Sequence, residues 1–344
     1  MKRITYISNF ARPLSFEDIE QISETSNRNN GRDELTGALF CFRNIFYQIL
    51  EGPEEKVDQC YKRIMGDDRH DNIFCLQVER DIDRRMYPDW KMNTVVLDER
   101  TDSLVRPIKN LLSALVNTHR QMETYTPGPV LAAIQQGIDP AELKPRRTER
   151  IVLFSDIVSS TSLIEGMAAD DINRFLEAYY GAANAAILEH EGEILKLTGD
   201  GLMAHFDPDQ AADAVRAALS LLERLKRVRE AAGPDDILSQ LHTGIGITSG
   251  AVLEGNIGSE HFRDYSLIGD TVNTAARLES VTRKVFKAIV FDGAIAGRLG
   301  ADFNVKQVGT YKPKGKRERL KIYTVQHPVI DLPAAIRRSV TSSQ

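Results

Sequence analysis

IVLFSDIVSST at 151–161 and EGEILKLTGDGLMAHF at 191–206 decide how the larger part of this chain is read. In each, an apolar run of strand character ends at a turn that carries an aspartate: Asp156 in the first and Asp200, 44 positions later, in the second. An Asp closing a strand commonly caps a turn or a helix. Two of them on neighbouring strand ends also make an oxygen clamp for Mg²⁺, which keeps a near-octahedral oxygen shell and is held by one or two carboxylates together with substrate phosphates. The surrounding pattern reads as a strand over 151–157, a helix over 168–190, a hairpin over 193–206 and a helix over 209–231. Thr198-Gly199-Asp200-Gly201 is turn chemistry that exposes Asp200 at the hairpin tip.

Two later stretches, DYSLIGDTVNTAARLE at 264–279 and YKPKGKRERLKIYTV at 311–325, add groups suited to a triphosphate. The blocks FSDIVSST, KLTGDG, YSLIGDTVNTAARLE and PKGK, in this order, resemble the catalytic domain of class III nucleotidyl cyclases over residues 146–326. The resemblance implies an α/β sandwich in which Asp156, Asp200 and the backbone carbonyl of Ile157 hold two Mg²⁺ ions, with Mn²⁺ able to substitute. It also implies in-line attack of a ribose 3′-hydroxyl on the α-phosphate, which two metals assist by acidifying the attacking oxygen and neutralising the departing pyrophosphate. Asn273 and Arg277 lie four apart in a segment that reads as a helix, so they share a face. By the same resemblance Asn273 orients the ribose and Arg277 stabilises charge on the α-phosphate, a task that suits a planar, permanently charged fork of donors. Lys314, with Lys316 beside it, would meet the β- and γ-phosphates; the same lysines also read as a solvated basic turn.

Lys196 and Ser266 stand where adenine-selective members of that family carry Lys and one of Asp, Thr or Ser. Guanine-selective members carry Glu at the first of these positions. A Lys ammonium only donates, so it pairs with the acceptor N1 of adenine, whereas N1 of guanine is itself a donor. Ser266 can accept from the adenine 6-amino group and can equally donate to guanine O6. ATP is therefore the expected substrate, converted to cyclic AMP and pyrophosphate, and GTP is the variant reading. Lys196 and Asp200 are too close along the chain for one to read the base and the other to hold distant metals. The resemblance resolves this with a homodimer in which Asp156 and Asp200 of one chain face Lys196, Ser266, Asn273 and Arg277 of the other.

The first third has its own signature. MKRITYIS surrounds Tyr6 with β-forming residues; Asn30 follows 24 positions later in SNRNNGRDELTGALF, and Gln48 a further 18 later in NIFYQILEG. With TG at 36–37, QILEG at 48–52, DDRH at 67–70 and WKM at 90–92, residues 1–97 resemble the BLUF family of blue-light flavin receptors. That implies a ferredoxin-like α+β sandwich binding FAD or FMN. In this resemblance Tyr6 is the redox-active phenol and Gln48 the amide that contacts the ring. The light signal is a tautomerised or rotated Gln48, which can switch because an amide has a donor and an acceptor end. Asn30 binds the ring's polar edge, while Arg63, Asp67, Arg69 and His70 hold the ring flank or the ribityl phosphate tail. Arg63 and Arg69 suit phosphate, although DDRH also reads as an ordinary charged helix end. Trp90 and Met92 alternate, so in a strand they share a face from which either could approach Gln48.

Residues 98–145 read as a helical connection. Leu104, Ile108, Leu111, Leu115 and Met122 form an apolar stripe that either pairs two chains as a coiled coil or packs on its own domain. Tyr125 before TPGPV ends this helix, and PAELKPRRTER reads as linker. The stretch 327–344 has little apolar content, the composition of an unordered tail. TGIGITSG at 243–250 has glycines like those of a dinucleotide loop, but they lie inside a β-patterned stretch with no helix directly after it.

Composition sets the outer bounds. The 344 residues, 42% hydrophobic and 27% charged, support two folded α+β domains. No apolar run approaches the roughly 20 residues of a membrane span, and a net charge of −5 gives no basic footprint for nucleic acid or membrane. Cys41, Cys60 and Cys75 are odd in number, without a C-x-x-C pair or a secretory signal, and read as reduced thiols of a cytoplasmic protein. A flavin receptor whose cyclase-like domain only binds a nucleotide or a partner, without turnover, is the alternative reading.

Overall fold

Every residue of the first strand, Lys2–Phe10 (β1), is buried, as in the middle of a sheet covered on both faces. The structure is a computed structural model. It describes residues 1–42, 44–88, 93–96, 111, 114–115, 118, 121–122, 125–136, 138–160, 163, 165–259, 263–312 and 319–333. The chain divides into two compact units, Met1–Leu143 and Lys144–Gln344.

In the first unit β1 is followed by α1 (Phe16–Arg32), β2 (Thr36–Phe42), β3 (Ile45–Gly52), α2 (Glu54–Met65), β4 (His70–Glu79) and β5 (Asn93–Val96). The sheet order is β4-β1-β3-β2-β5, antiparallel except for the β2–β5 pair. This is the expected ferredoxin-like order with one strand added at an edge. Ser15 and Asp18 form a capping box that starts α1. Side chains alternate across the sheet. Ile4, Tyr6, Leu39, Phe46 and Leu50 face Val57, Cys60 and Tyr61 of α2, while Ile7 and Ile45 pack on the other face with Tyr47, Phe74, Leu76 and Leu115.

Leu111, Leu115, Met122 and Tyr125 are helical, as the apolar stripe requires. Leu115 packs on the sheet of its own unit, whereas Leu111 is 62% exposed. Leu104 and Ile108 lie outside the described residues. A short helix α3 (Gly128–Gln135) and a 3-10 turn at Pro140–Glu142 close this unit.

The second unit runs β6 (Arg146–Ile157), α4 (Ala169–Glu189), β7 (Glu193–Leu197), β8 (Gly201–Phe206), α5 (Ala211–Ala231), β9 (Thr243–Gly258), β10 (Arg263–Ile268) and α6 (Asp270–Val285). It ends with β11 (Ile289–Asp292), α7 (Gly293–Ala296), β12 (Val305–Tyr311) and β13 (Leu320–Val325). The sheet order is β12-β13-β11-β9-β6-β8-β7, with β10 paired to β9. The helices expected at 168–190 and 209–231 and the hairpin at 193–206 are all present, within about two residues of their expected ends.

Two expectations are corrected. The RRTER stretch is strand and not linker: β6 begins at Arg146 and pairs with β9 through Ile157. Its arginines are accommodated because Arg150 donates from Nε and Nη2 to the two oxygens of buried Glu254, at 2.9 and 3.0 Å. The start of the supposed tail is also ordered. Ile330 and Leu332 join the main core, and the Ala288 N–H donates to Ile330 O at 2.8 Å; two apolar side chains suffice here because the backbone is paired as well.

TGIGITSG forms the first half of β9, and its glycines are where α6 rests. A Cβ on Gly246 would stand 2.2 Å from Glu279 N and 2.3 Å from Ala275 O, and one on Gly244 would stand 2.4 Å from Thr282 Oγ1. A glycine inside a strand marks such a close backbone approach. Gly246→Ala should force α6 off the sheet and cost about 1–3 kcal/mol in denaturant unfolding of the second unit. An unchanged unfolding midpoint would show that the helix can give way freely.

Candidate active site and sensor pocket

Antiparallel pairing of β1 with β3 sets Tyr6 opposite Gln48, and Tyr6 Oη donates to Gln48 Oε1. Burial raises the Tyr6 pKa well above the ordinary phenol value, so the phenol keeps its proton. Beside the pair lies a cavity of about 220 Å³. Ile22, Leu39, Phe46 and Ile64 supply apolar walls, and Asn29, Asn30, Gln48, Arg63, Asp67, Arg69 and His70 supply polar lining. Arg63 Nη2 donates to Asp33 Oδ2 at 3.1 Å. Arg69 Nε donates to Asp67 Oδ1 at 2.9 Å, and this guanidinium holds the Asp67 carboxyl down to about 2. His70 Nδ1 shares a 2.7 Å hydrogen bond with Ser8 Oγ. Apolar walls with amide groups at one edge and two guanidiniums suit a flat heterocycle with an anionic tail, so the residues present fit a flavin. Trp90 and Met92 lie outside the described residues.

In the second unit Asp156 is in register with Gly201, and Asp200 sits in the turn just before that glycine. Burial raises the Asp156 pKa and the negative charge of Asp200 adds to the rise; Arg283 offsets part of it by donating from Nη2 to Asp156 Oδ2 at 2.9 Å. Ser160 Oγ donates to Asp200 Oδ2, and Tyr180 Oη donates to Gly199 O in the same turn. Below them, Tyr179 Oη donates to Ser155 Oγ at 2.8 Å, and Ser155 Oγ meets Thr243 Oγ1 at 2.8 Å. Thr243 Oγ1 in turn donates to the backbone carbonyl of Asp156 at 2.8 Å. The Ile157 side chain is fully buried, so only its backbone can serve the site.

Two mutually repelling carboxylates in a half-buried turn suit a hard dication. Among the described residues no three His, Cys, Asp or Glu side chains gather as a metal site. An ion held by these two aspartates would take its remaining oxygens from other donors.

Helix α6 carries two polar pairs on different faces. Asn273 is exposed and Arg277 half-buried, one turn apart. Glu279 and Arg283, likewise four apart, form an ion pair at 2.8 Å. At about 100° per residue the two pairs point about 120° apart around the axis. Burial raises the Glu279 pKa to about 7, Arg283 opposing the rise and Asp156 adding to it. Elsewhere, Lys196 Nζ donates to Asp264 Oδ2 at 2.8 Å, and Ser266 lies two residues further along β10 on the same face.

The structure thus brings Asp156 to Asp200 and Lys196 to the strand of Ser266, and sets Asn273 beside Arg277. Lys314 and Lys316 lie outside the described residues. Sequence reasoning missed Arg283, Glu279 and Asp264. The four-residue spacing of Glu279 and Arg283 was the available signal for the first two, and Asp264 gave none.

Residues 1–93 match the family described as sensors of blue-light using FAD, BLUF, and residues 143–327 match the adenylate and guanylate cyclase catalytic domain. Over 298 residues the chain is 31% identical to photoactivated adenylate cyclase subunit beta of Euglena gracilis, covering 86% of this chain and 34% of that protein. Over 299 residues it is 30% identical to the alpha subunit from the same organism, covering 86% of this chain and 29% of that protein. The chain therefore spans about a third of the length of these curated relatives. A solved structure of a bacterial light-regulated adenylyl cyclase superposes with a TM-score of 0.84 at 36% identity, covering 100% of this chain and 99% of that one.

Partly buried histidines give both units a pH dependence. Burial lowers His70 from 6.5 to about 4; burial and the charge of Arg229 lower His242 to about 4 as well. Between those values the unfolded chain binds protons that the folded chain refuses. This stability is therefore full above pH 6.5 and is lost as pH falls toward 4. Unfolding midpoints should fall across that window, and His70→Gln should flatten the fall for the first unit. A slope unchanged by that substitution would mean the ring is solvated.

Proposed function

Because the chain belongs to the adenylate and guanylate cyclase catalytic domain family and carries a BLUF domain ahead of it, we propose that it is a blue-light-activated adenylyl cyclase. It forms 3′,5′-cyclic AMP and pyrophosphate from ATP at the interface of a homodimer. Residues 1–97 sense light, 98–145 connect, and 146–326 catalyse.

The observation that carries this reading is the division of α6. Arg283 binds Asp156 of its own chain, so the face bearing Asn273 and Arg277 is turned away from that chain's own carboxylates and is available to a second copy. Mg²⁺ held by Asp156, Asp200 and the Ile157 carbonyl would supply positive charge at the attacking hydroxyl and the departing pyrophosphate. Asn273 orients the ribose, Arg277 donates to the α-phosphate, and Lys314 and Lys316 take the terminal phosphates. Lys196 donates to adenine N1, and Ser266 stands beside it.

In the sensor, bound FAD would supply the blue-light-excited electron acceptor. Asn30, Arg63, Asp67, Arg69 and His70 hold it. Tyr6 keeps its proton at Oη, directed at Gln48, whose amide can exchange donor and acceptor ends. Three cysteines that form no disulfide and an ATP substrate fit the cytoplasm. Among the described residues no helix is long and apolar enough to cross a membrane.

Purified protein given Mg²⁺ and ATP should form cyclic AMP faster in blue light than in darkness; no cyclic product in either condition would overturn the proposal. Asp156→Asn and Arg277→Ala should each lower kcat by about 100-fold or more. Co-expressing the two inactive chains should restore activity, since one interface site then carries both intact halves. A mixture that stays dead would argue for a site contained in one chain. Tyr6→Phe should abolish the light dependence and leave dark turnover, and persistent photoactivation in that variant would refute the role of the phenol.

A further inference from the structure

We propose that Asp264 completes the adenine-reading site, accepting from the 6-amino group and positioning Lys196; the inference rests on the nucleotide-site reading above. On β10, Tyr265 and Leu267 are buried at 8% and 3% exposure, so Asp264, Ser266 and Ile268 occupy the opposite, accessible face. Lys196 arrives there from β7. Its pairing with β8 shifts register between Ile194 and Lys196, leaving Leu195 buried and both Lys196 and Leu197 exposed. A bulge of this kind re-aims a side chain, and here it delivers Lys196 Nζ to 2.8 Å from Asp264 Oδ2.

The strand beneath is fixed. Tyr265 Oη donates to Glu254 Oε1 at 2.8 Å, and the same carboxylate is held by Arg150 at 2.9 and 3.0 Å. The residues on either side of Tyr265 therefore have little freedom. The Lys196 and Asp264 side chains are 52% and 41% exposed. An ion pair so accessible contributes little to folding, while both groups remain open to a ligand.

The adenine edge places an acceptor, N1, beside a donor, the 6-amino group. Lys196 and Asp264 present the complementary donor and acceptor side by side. Guanine reverses the pattern with N1–H and O6, so the ammonium would meet a donor and the carboxylate an acceptor. Ser266 matches either edge, and the acceptor-only carboxylate is what gives this position a sign.

The test uses the full chain and two readouts: kcat/KM for ATP and GTP, and the affinities for 3′-deoxy-ATP and 3′-deoxy-GTP, which lack the attacking hydroxyl. Asp264→Asn keeps the shape and should reduce the adenine-over-guanine ratio by roughly tenfold in both readouts, chiefly through KM, with Asp264→Glu recovering part. In a Lys196→Ala background the same change should have much less effect. An unchanged ratio, or a stronger preference for adenine, in Asp264→Asn would overturn the assignment. Wild-type protein that binds the adenine analogue selectively yet makes no cyclic product would defeat the cyclase reading alone, the affinity ratio still deciding the role of Asp264. Failure to bind any nucleotide would defeat both.

Discussion

The second unit is organised by the approach of α6 to β9, closer than any side chain would permit. Gly244 and Gly246 lie under the helix, and Thr271 Oγ1 at its first turn donates to Ala251 O at 2.8 Å. The same strand pairs with β6, which carries Asp156 next to its last residue, and with β10, which carries Asp264 and Ser266. Asp156, the Asp264–Ser266 face of β10 and the Asn273–Arg277 face of α6 are therefore all referenced to one 16-residue strand. Precision of this kind comes from rigid elements with locked supports, and the Tyr179–Ser155–Thr243 hydrogen bonds extend it to the Asp156 backbone.

Electrostatics works against gathering these acids in one place. Asp156 is raised by burial and by Asp200, Glu279 is raised by burial and by Asp156, and a single guanidinium, Arg283, serves both Asp156 and Glu279. One cation shared among several acids leaves negative charge that a dication would offset. The sensor pocket differs in kind. Its two arginines are each already paired with a carboxylate, and its central hydrogen bond joins two neutral groups, Tyr6 and Gln48.

What the sequence revealed and what it hid follow from the range of the interactions. Strand ends, the hairpin turn at Asp200 and the long helices were visible because periodicity and turn chemistry are local. Asp264 and Arg283 were not, because their partners Lys196 and Asp156 are 68 and 127 positions away. The RRTER stretch looked like linker for the same reason: the acid that accepts Arg150 lies 104 positions on. The TGIGITSG glycines were correctly separated from a dinucleotide loop, yet their purpose became evident only once a helix was seen resting on them.

In the proposed mechanism a signal from the flavin would have to cross a sheet whose two faces do not share side chains. Tyr6 and Gln48 point to the cavity side, while their neighbours Ile7 and Tyr47 belong to the opposite face, where Leu115 of the connecting helix packs. A rearranged hydrogen bond at Gln48 can reach that helix only by moving the backbone of β1 or β3, since no side chain spans both faces. The energy required is modest. A tenfold activation corresponds to about 1.4 kcal/mol, and one exchanged neutral hydrogen bond supplies about 1 kcal/mol. The two are of the same order, and in the proposed response Ile7, Ile45 and Tyr47, packed with Leu115, are the contacts through which the shift would pass to the helix.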